Sequence, residues 1–207
     1  MSDTLREVLI LVPILLVSIS IHETMHAVAG LWLGDDTAKG EGRISLNPLK
    51  HIDPYLTVAL PILMAIVHGP IFGMAKPVNI DMRRVKYQEF GGAIIGMIGP
   101  LTNLLIAFVA AMLFKHFDVL QTGLARDILS TTIILNVGFF VFNSIPFPPL
   151  DGSRLLYAFA PTALQNLMDF IEQQGIFGFF IFMFLFYSYL QPVLLKISSA
   201  LTNGLVG

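Results

Sequence analysis

The sequence predicts an all-α polytopic membrane protein, on three observations. Of its 207 residues, 55% are hydrophobic and only 13% charged, where a soluble domain carries about a quarter charged residues. Mean hydropathy is +0.76. The apolar residues are gathered into runs, several of about 20 residues, the length that crosses a bilayer core as a helix. The chain length fits a single membrane-embedded domain over residues 1–207. With no cysteine, disulfides and thiolate ligands are excluded, and any metal falls to His, Asp or Glu. A net charge of −2 gives no reason to expect nucleic acid as a partner; the partner implied by composition is the lipid bilayer.

The elements follow in chain order. The first span runs from about Leu5 to Leu33, and Gly34-Asp35-Asp36 ends it. Its apolar run, Val8 to Val28, lacks a basic leader and is preceded by Asp3 and Glu7, so it reads as a retained span rather than a cleaved signal. Trp32 near its end fits an interfacial anchor. The polar stretch Thr37 to Asp53 holds Gly40, Gly42 and the alternation Arg43-Ile44-Ser45-Leu46, which predicts a short strand or β-hairpin. Asn47-Pro48 reads as a turn. Tyr55 to Val67 is apolar but short and contains Pro61, so it is expected to be a thin, tilted or re-entrant fifth segment.

Ile71 to Ile80 carries Gly73 and Pro77 and reads as extended, and Asp81 to Glu89 is charged and belongs at or beyond an interface. Within it, Arg83-Arg84-Val85-Lys86 marks a headgroup boundary. Gly91 to Phe114 is the clearest span, free of ionisable residues. Its Gly92-x-x-x-Gly96 spacing lets helices approach closely, and Pro100 is a kink site. Lys115 to Asp127 is a polar connection, and Ile128 to Phe142 is a further span that stops at Asn143. Asn143 to Gly152 holds Pro146, Pro148 and Pro149 and cannot continue a regular helix. Leu155 to Gln174 has the mixed polarity of one or two interfacial helices, and Ile176 to Leu190 is a last span whose Phe-rich run, Phe177 to Tyr189, faces lipid and packs. If all five segments cross, Lys and Arg divide equally between the two sides, so the positive-inside rule assigns no orientation.

Chemistry enters through His22-Glu23-Thr24-Met25-His26 in the first span. Positions i and i+4 of a helix share one face, so both imidazoles can reach one metal ion. HExxH is the usual arrangement for zinc hydrolysis, two histidine ligands and a glutamate general base. Inside a span, such ionisable groups mark a functional site by default. A catalytic zinc takes a third protein ligand. His51, His68 and His116 lie in polar or loop-like surroundings and read as solvated or interfacial histidines. Asp151 stands apart. It is the only acid between Asp127 and Asp169 and directly follows a span on proline-stiffened backbone, which a membrane protein tolerates where it is buried in protein or lines a wet cavity. The plain alternative is a turn in which Asp151 caps the following helix. With HExxH in the same chain, the ligand reading leads.

These segments resemble the site-2 protease family of intramembrane zinc metalloproteases, whose two signatures are HExxH and a distant N-x-x-P-x-P-x-x-D-G. Asn143-Ser144-Ile145-Pro146-Phe147-Pro148-Pro149-Leu150-Asp151-Gly152 fits the second at every fixed position. Gly99-Pro100-Leu101-Thr102-Asn103 is similar to a further family element, and Gly42 to Pro48 is similar to the segment that follows the HExxH helix in compact bacterial members. The resemblance covers about Ile21 to Gly152. It implies one zinc ion per chain on His22, His26 and Asp151, with Glu23 as the catalytic acid/base. It implies that Asn143 and Asn103 bind substrate or steady the site, and that the substrates are transmembrane proteins cut in or near their spans. It also implies a multi-pass protein of a bacterial cell membrane, compact, without a PDZ-like insertion or a nucleotide-sensing domain. The catalytic core is then about residues 5–152, with interfacial helices and the last span in 153–207. An unwound substrate could add as a strand along Arg43 to Leu46 or Phe72 to Ile80.

Rival readings meet specific objections. Membrane zinc peptidases that take a later Glu as third ligand do not explain Asp151. A metal transporter commonly sets ionisable residues on several spans, and the other spans here are almost free of them. A scaffold without activity has no need of Glu23.

Overall fold

The computed structural model describes residues 3–59, 66 and 75–207. Among these the elements are α1 (Asp3–Trp32), α2 (Thr37–Gly40), a 3₁₀ turn (Pro48–Lys50), a π-helical turn (Pro54–Ala59), α3 (Gln88–His116), a second 3₁₀ turn (Asp118–Gln121), α4 (Gly123–Asn143), α5 (Gly152–Phe159), α6 (Thr162–Gln173) and α7 (Gly175–Val206). Four helical stretches, Leu5–Trp32, Gln88–His116, Gly123–Asn143 and Phe177–Val206, are long and apolar enough to cross a membrane. Each overlaps one of the four full spans expected from hydropathy, but the last does not stop after Leu190: Pro192 lies inside the helix, which runs on to Val206. The proposed fifth, Tyr55 to Val67, lies largely outside the described residues.

Helix α3 is central and packs on α1, α4, α5 and α7. Its buried residues explain why it can: Gly91, Gly92, Ala93, Gly96, Gly99, Ala107, Ala110 and Ala111 present almost no side chain. Without a hydrophobic drive between helices in lipid, close backbone approach is what holds them together. Ala107, Ala110 and Ala111 meet Ile133, Val137 and Val141 of α4, and Leu194, Leu201 and Leu205 of α7 close over them. A second cluster joins Ala29 of α1, and Leu33 just after it, to Val85 and to Ile95 of α3. A third gathers Leu150, Phe179, Phe182 and Met183.

The end of α1 is set by Gly34. Its φ of +106° is a conformation that glycine adopts readily. It lets Asp35 N–H reach the Gly30 carbonyl (2.9 Å) and Gly34 N–H the Leu31 carbonyl (3.1 Å), the paired bonds of a Schellman C-cap.

The strand or hairpin expected in Thr37 to Asp53 does not form, and no β-strand occurs among the described residues. Side-chain bonds to backbone take the place of a ladder. Buried Asp35 accepts from Thr37 N–H (3.1 Å) and Thr37 Oγ1 (2.5 Å), and its other oxygen accepts from Asp81 N–H (2.8 Å). Buried Arg43 donates to the carbonyls of Lys50, Lys76 and Pro77. Residues 75–80 form neither helix nor strand, and Arg43 ties them to the loop before Pro48.

Candidate metal centre

His22 and His26 lie one turn apart on α1, and both are buried. Their Nε2 atoms stand 2.9 Å apart. Asp151 Oδ2 completes the triangle, 3.1 Å from His22 Nε2 and 3.4 Å from His26 Nε2. Among the described residues these three form the group of donors able to hold a metal ion. A tetrahedral ion bound at about 2.0–2.1 Å requires donors about 3.3 Å apart, and the observed triangle is close to that. Asp151 does not cap α5: no side-chain cap bond is made there, and the carboxylate turns to the imidazoles instead.

Hydrogen bonds on the far side of each ring fix what the triangle presents. His26 Nδ1 donates to the Ile95 carbonyl (2.7 Å). A carbonyl only accepts, so Nδ1 carries a proton, and in the neutral ring that metal binding needs Nε2 is the bare nitrogen. His22 Nδ1 faces Asn103 Oδ1 at 2.6 Å. Two lone pairs and a carboxylate oxygen thus converge within 3.4 Å, and such acceptors repel unless a cation lies between them. This is the ligand–orienter arrangement of metal sites. Metal binding needs Asp151 as the carboxylate, whose oxygens then offer only lone pairs.

Helix α3 is the floor of the centre. A Cβ on Gly99 would lie inside contact distance of both His22 and His26, and one on Gly96 would meet Asp151 O (2.8 Å) and Arg154 Cβ (2.7 Å). Glycine is therefore required by close approach, a stronger reason than the helix packing that its spacing suggests. On its other face α1 is held by Thr24, whose hydroxyl donates to the Ser45 carbonyl (2.7 Å); His51 Nε2–H donates to the same oxygen (2.6 Å). His51 is thus a buried loop tie, while His116 bonds the Met112 carbonyl at the end of α3 (2.9 Å). Neither joins the triangle, and His68 is outside the described residues.

Beside the triangle lies a cavity of about 510 Å³ that Glu23, Asn143, Val78, Ile80, Arg154 and Glu172 help to line. Asn143 donates to the Phe139 carbonyl (3.1 Å) and lines the same cavity as the triangle, whereas Asn103 bonds His22 directly. Arg154 and Glu172 pair across the wall. Tyr157 beneath them donates to Asp169 (2.8 Å); burial, then that bond, pushes its phenol up. Ile95 and Gly96 give no sequence signal for a site beyond apolarity or small size, whereas Gly99 opens the Gly99–Asn103 segment that the sequence singles out. Arg154 offers one, as the only basic residue between Arg126 and Lys196.

Two histidines one turn apart and a distant aspartate, set among apolar helices long enough to cross a membrane, form a donor group that could hold a metal ion. Comparison with known proteins gives the family. The chain is 36% identical over 184 residues to "Putative zinc metalloprotease YwhC" of Bacillus subtilis, covering 85% of this chain and 79% of that one. It is 27% identical to "Putative zinc metalloprotease Rip2" of Mycolicibacterium smegmatis, over 77% of this chain and 61% of that one. It is 36% identical over 73 residues to "Zinc metalloprotease MJ0392" of Methanocaldococcus jannaschii, over 35% of this chain and 21% of that one. The chain belongs to the site-2 protease family. No protein-family model matches it, and no solved structure matches it.

Proposed function

We propose that this protein is an intramembrane zinc metalloprotease that hydrolyses peptide bonds in or near the transmembrane segments of membrane proteins, in a bacterial cell membrane. The observation that carries the reading is the convergence of His22 Nε2, His26 Nε2 and Asp151 Oδ2 within 3.4 Å, at the wall of a cavity that Glu23 also lines. His22, His26 and Asp151 hold one zinc ion. When bound, zinc supplies an activated water near neutral pH and polarises the scissile carbonyl. The Glu23 carboxylate takes the proton from the attacking water and delivers it to the leaving amine nitrogen. Asn143, on the cavity wall, contacts substrate, and Asn103 steadies His22.

A helical substrate has to unwind, because its carbonyls are engaged within the helix. The segment 75–80, which lies outside any helix, receives it. Val78, Asn79 and Ile80 line the cavity, and among the described residues no hydrogen bond engages their backbone amides or carbonyls. Such backbone groups pair with an incoming strand. Arg43 holds the segment in place from the side of Lys76 and Pro77.

The test is cleavage of a model transmembrane substrate in proteoliposomes, with zinc measured on the same samples. Glu23→Gln is expected to keep its zinc and lose cleavage by about 10²–10⁴-fold. Asp151→Ala is expected to weaken zinc binding. Full activity in Glu23→Gln would sink the protease reading, and unchanged zinc in Asp151→Ala would sink the ligand assignment.

A further inference from the structure

Three fully buried polar side chains lie behind His22, on three different helices: Asn103 on α3, Asn136 on α4 and Ser18 on α1. Polar groups inside membrane spans are costly and functional by default, and Asn136 and Ser18 belong to no motif. Their bonds form one chain. Asn136 Nδ2 donates to the Thr132 carbonyl (2.9 Å) and to Ser18 Oγ (2.9 Å). Asn103 Nδ2 donates to Asn136 Oδ1 (2.8 Å). Asn103 Oδ1 faces His22 Nδ1 at 2.6 Å.

The direction of this chain is not free. The Thr132 carbonyl can only accept, so Asn136 turns its NH₂ toward it and its oxygen toward Asn103. That oxygen can only accept, so Asn103 turns its own NH₂ toward Asn136 and its oxygen toward His22. His22 must then carry its proton on Nδ1. A backbone carbonyl on α4 thereby dictates, through two amides, which nitrogen of an imidazole on α1 is left bare.

We propose that Asn136 is a positioning residue that sets the tautomer of His22, so that Nε2 is held ready for a metal before one binds. This rests on the reading of the triangle as a zinc centre. Asn136 also serves alignment. It stands seven residues before Asn143 on α4, two turns along one helix face, and the chain then runs directly to Asp151. One helix thus orients the imidazole of one half of the site and delivers the carboxylate of the other.

The mechanism predicts two different outcomes at one position. In Asn136→Leu the Asn103 amide loses the acceptor that orients it and can turn its NH₂ to His22, which favours the proton on Nε2. Asn136→Asp keeps an acceptor toward Asn103 whether it is neutral or ionised, so the direction of the chain survives.

The experiment measures zinc affinity of the purified full chain by chelator competition, with thermal stability of the metal-free protein as a control. The ring ¹⁵N shifts of His22 are read in metal-free wild type. Asn136→Leu is expected to bind zinc about 10–100-fold more weakly, with less than additive further loss on adding Asn103→Leu. Asn136→Asp is expected to stay within about threefold of wild type, well inside that loss. His22 is expected to show a protonated Nδ1 and a bare Nε2.

Wild-type zinc affinity in folded Asn136→Leu overturns the proposal. So does a proton on His22 Nε2 in the wild type. Should Asn136→Leu fail to fold, a zinc loss of about tenfold or more in folded Asn136→Asp overturns it by itself. Absence of zinc binding by the wild type would remove the metalloprotease reading as well, whereas equal binding by wild type and Asn136→Leu removes only this inference.

Discussion

The two histidines reach the centre on a helix and are steered by hydrogen bonds; Asp151 reaches it on a loop and is steered by packing. His26 is aimed by the Ile95 carbonyl and His22 by Asn103. The loop that carries Asp151 is anchored by apolar packing: Leu150 is buried with Phe179, Phe182 and Met183, and Phe147 stacks on Phe182 with ring centroids 3.6 Å apart. The difference follows from the donor groups themselves. An imidazole has two nitrogens of which only the bare one binds a metal, so it needs a partner that chooses between them. An ionised carboxylate offers two equivalent oxygens, so it needs only to be in the right place, and close packing can put it there.

The largest effect expected comes from breaking the histidine side sterically. Gly99→Ala puts a methyl group against both imidazoles and is expected to reduce zinc affinity by about 100-fold or more, at the upper end of what orienting contacts contribute. Gly138→Ala on α4, where a Cβ meets nothing within 4 Å, is the control and should bind zinc like wild type. Equal behaviour of the two variants in zinc titrations would remove α3 as the floor of the site.

Breaking the aspartate side should act through stability. Phe147→Ala removes the stack on Phe182 and is expected to cost about 1–3 kcal/mol, read as a lower thermal midpoint of the metal-free protein. Zinc affinity falls with it, by less than in Gly99→Ala, because a loosened loop still carries Asp151. A normal midpoint with a full loss of zinc would mean that Asp151 is held by something other than packing.

The smallest effect sharpens the boundary of the site. Tyr157→Phe removes the bond to Asp169 and should cost about 1 kcal/mol without changing zinc affinity. The phenol's folded value is raised, so its contribution is fully present below the ordinary tyrosine value, about 10. It is lost only as pH rises through the higher folded value. The wild-type advantage over Tyr157→Phe in thermal midpoint should therefore be the same at pH 7 and pH 9. A gap that closes between them contradicts the assignment.

The parts legible in sequence were those where chemistry or hydropathy writes a local pattern. His22, His26 and Glu23 share one turn of helix, and Asp151 sits in a proline-marked segment; the four spans are plain apolar runs. The expected hairpin at Thr37 to Asp53 was not legible, because Gly40, Gly42 and the alternation after Arg43 fit a strand while the outcome is decided by Asp35 and Arg43. Those side chains satisfy backbone groups 33 to 46 residues away, distances that no local pattern encodes. Asn136 was silent for the same reason: its partners Asn103 and Ser18 are 33 and 118 residues distant. The glycines of α3 were visible, but as a packing stripe rather than as the floor under two imidazoles.

Thr24 occupies one of the two unspecified positions of the HExxH motif. It points about 200° round α1 from His22, two residues at 3.6 per turn, and is pinned there to the Ser45 carbonyl. A helix gripped at opposite sides cannot roll about its long axis. Roll is the motion that a smooth glycine surface resists least, and it would swing both imidazoles off Asp151 together. The loop at Ser45, remote from the reacting atoms, thus acts as a torsional brake on the helix that carries them.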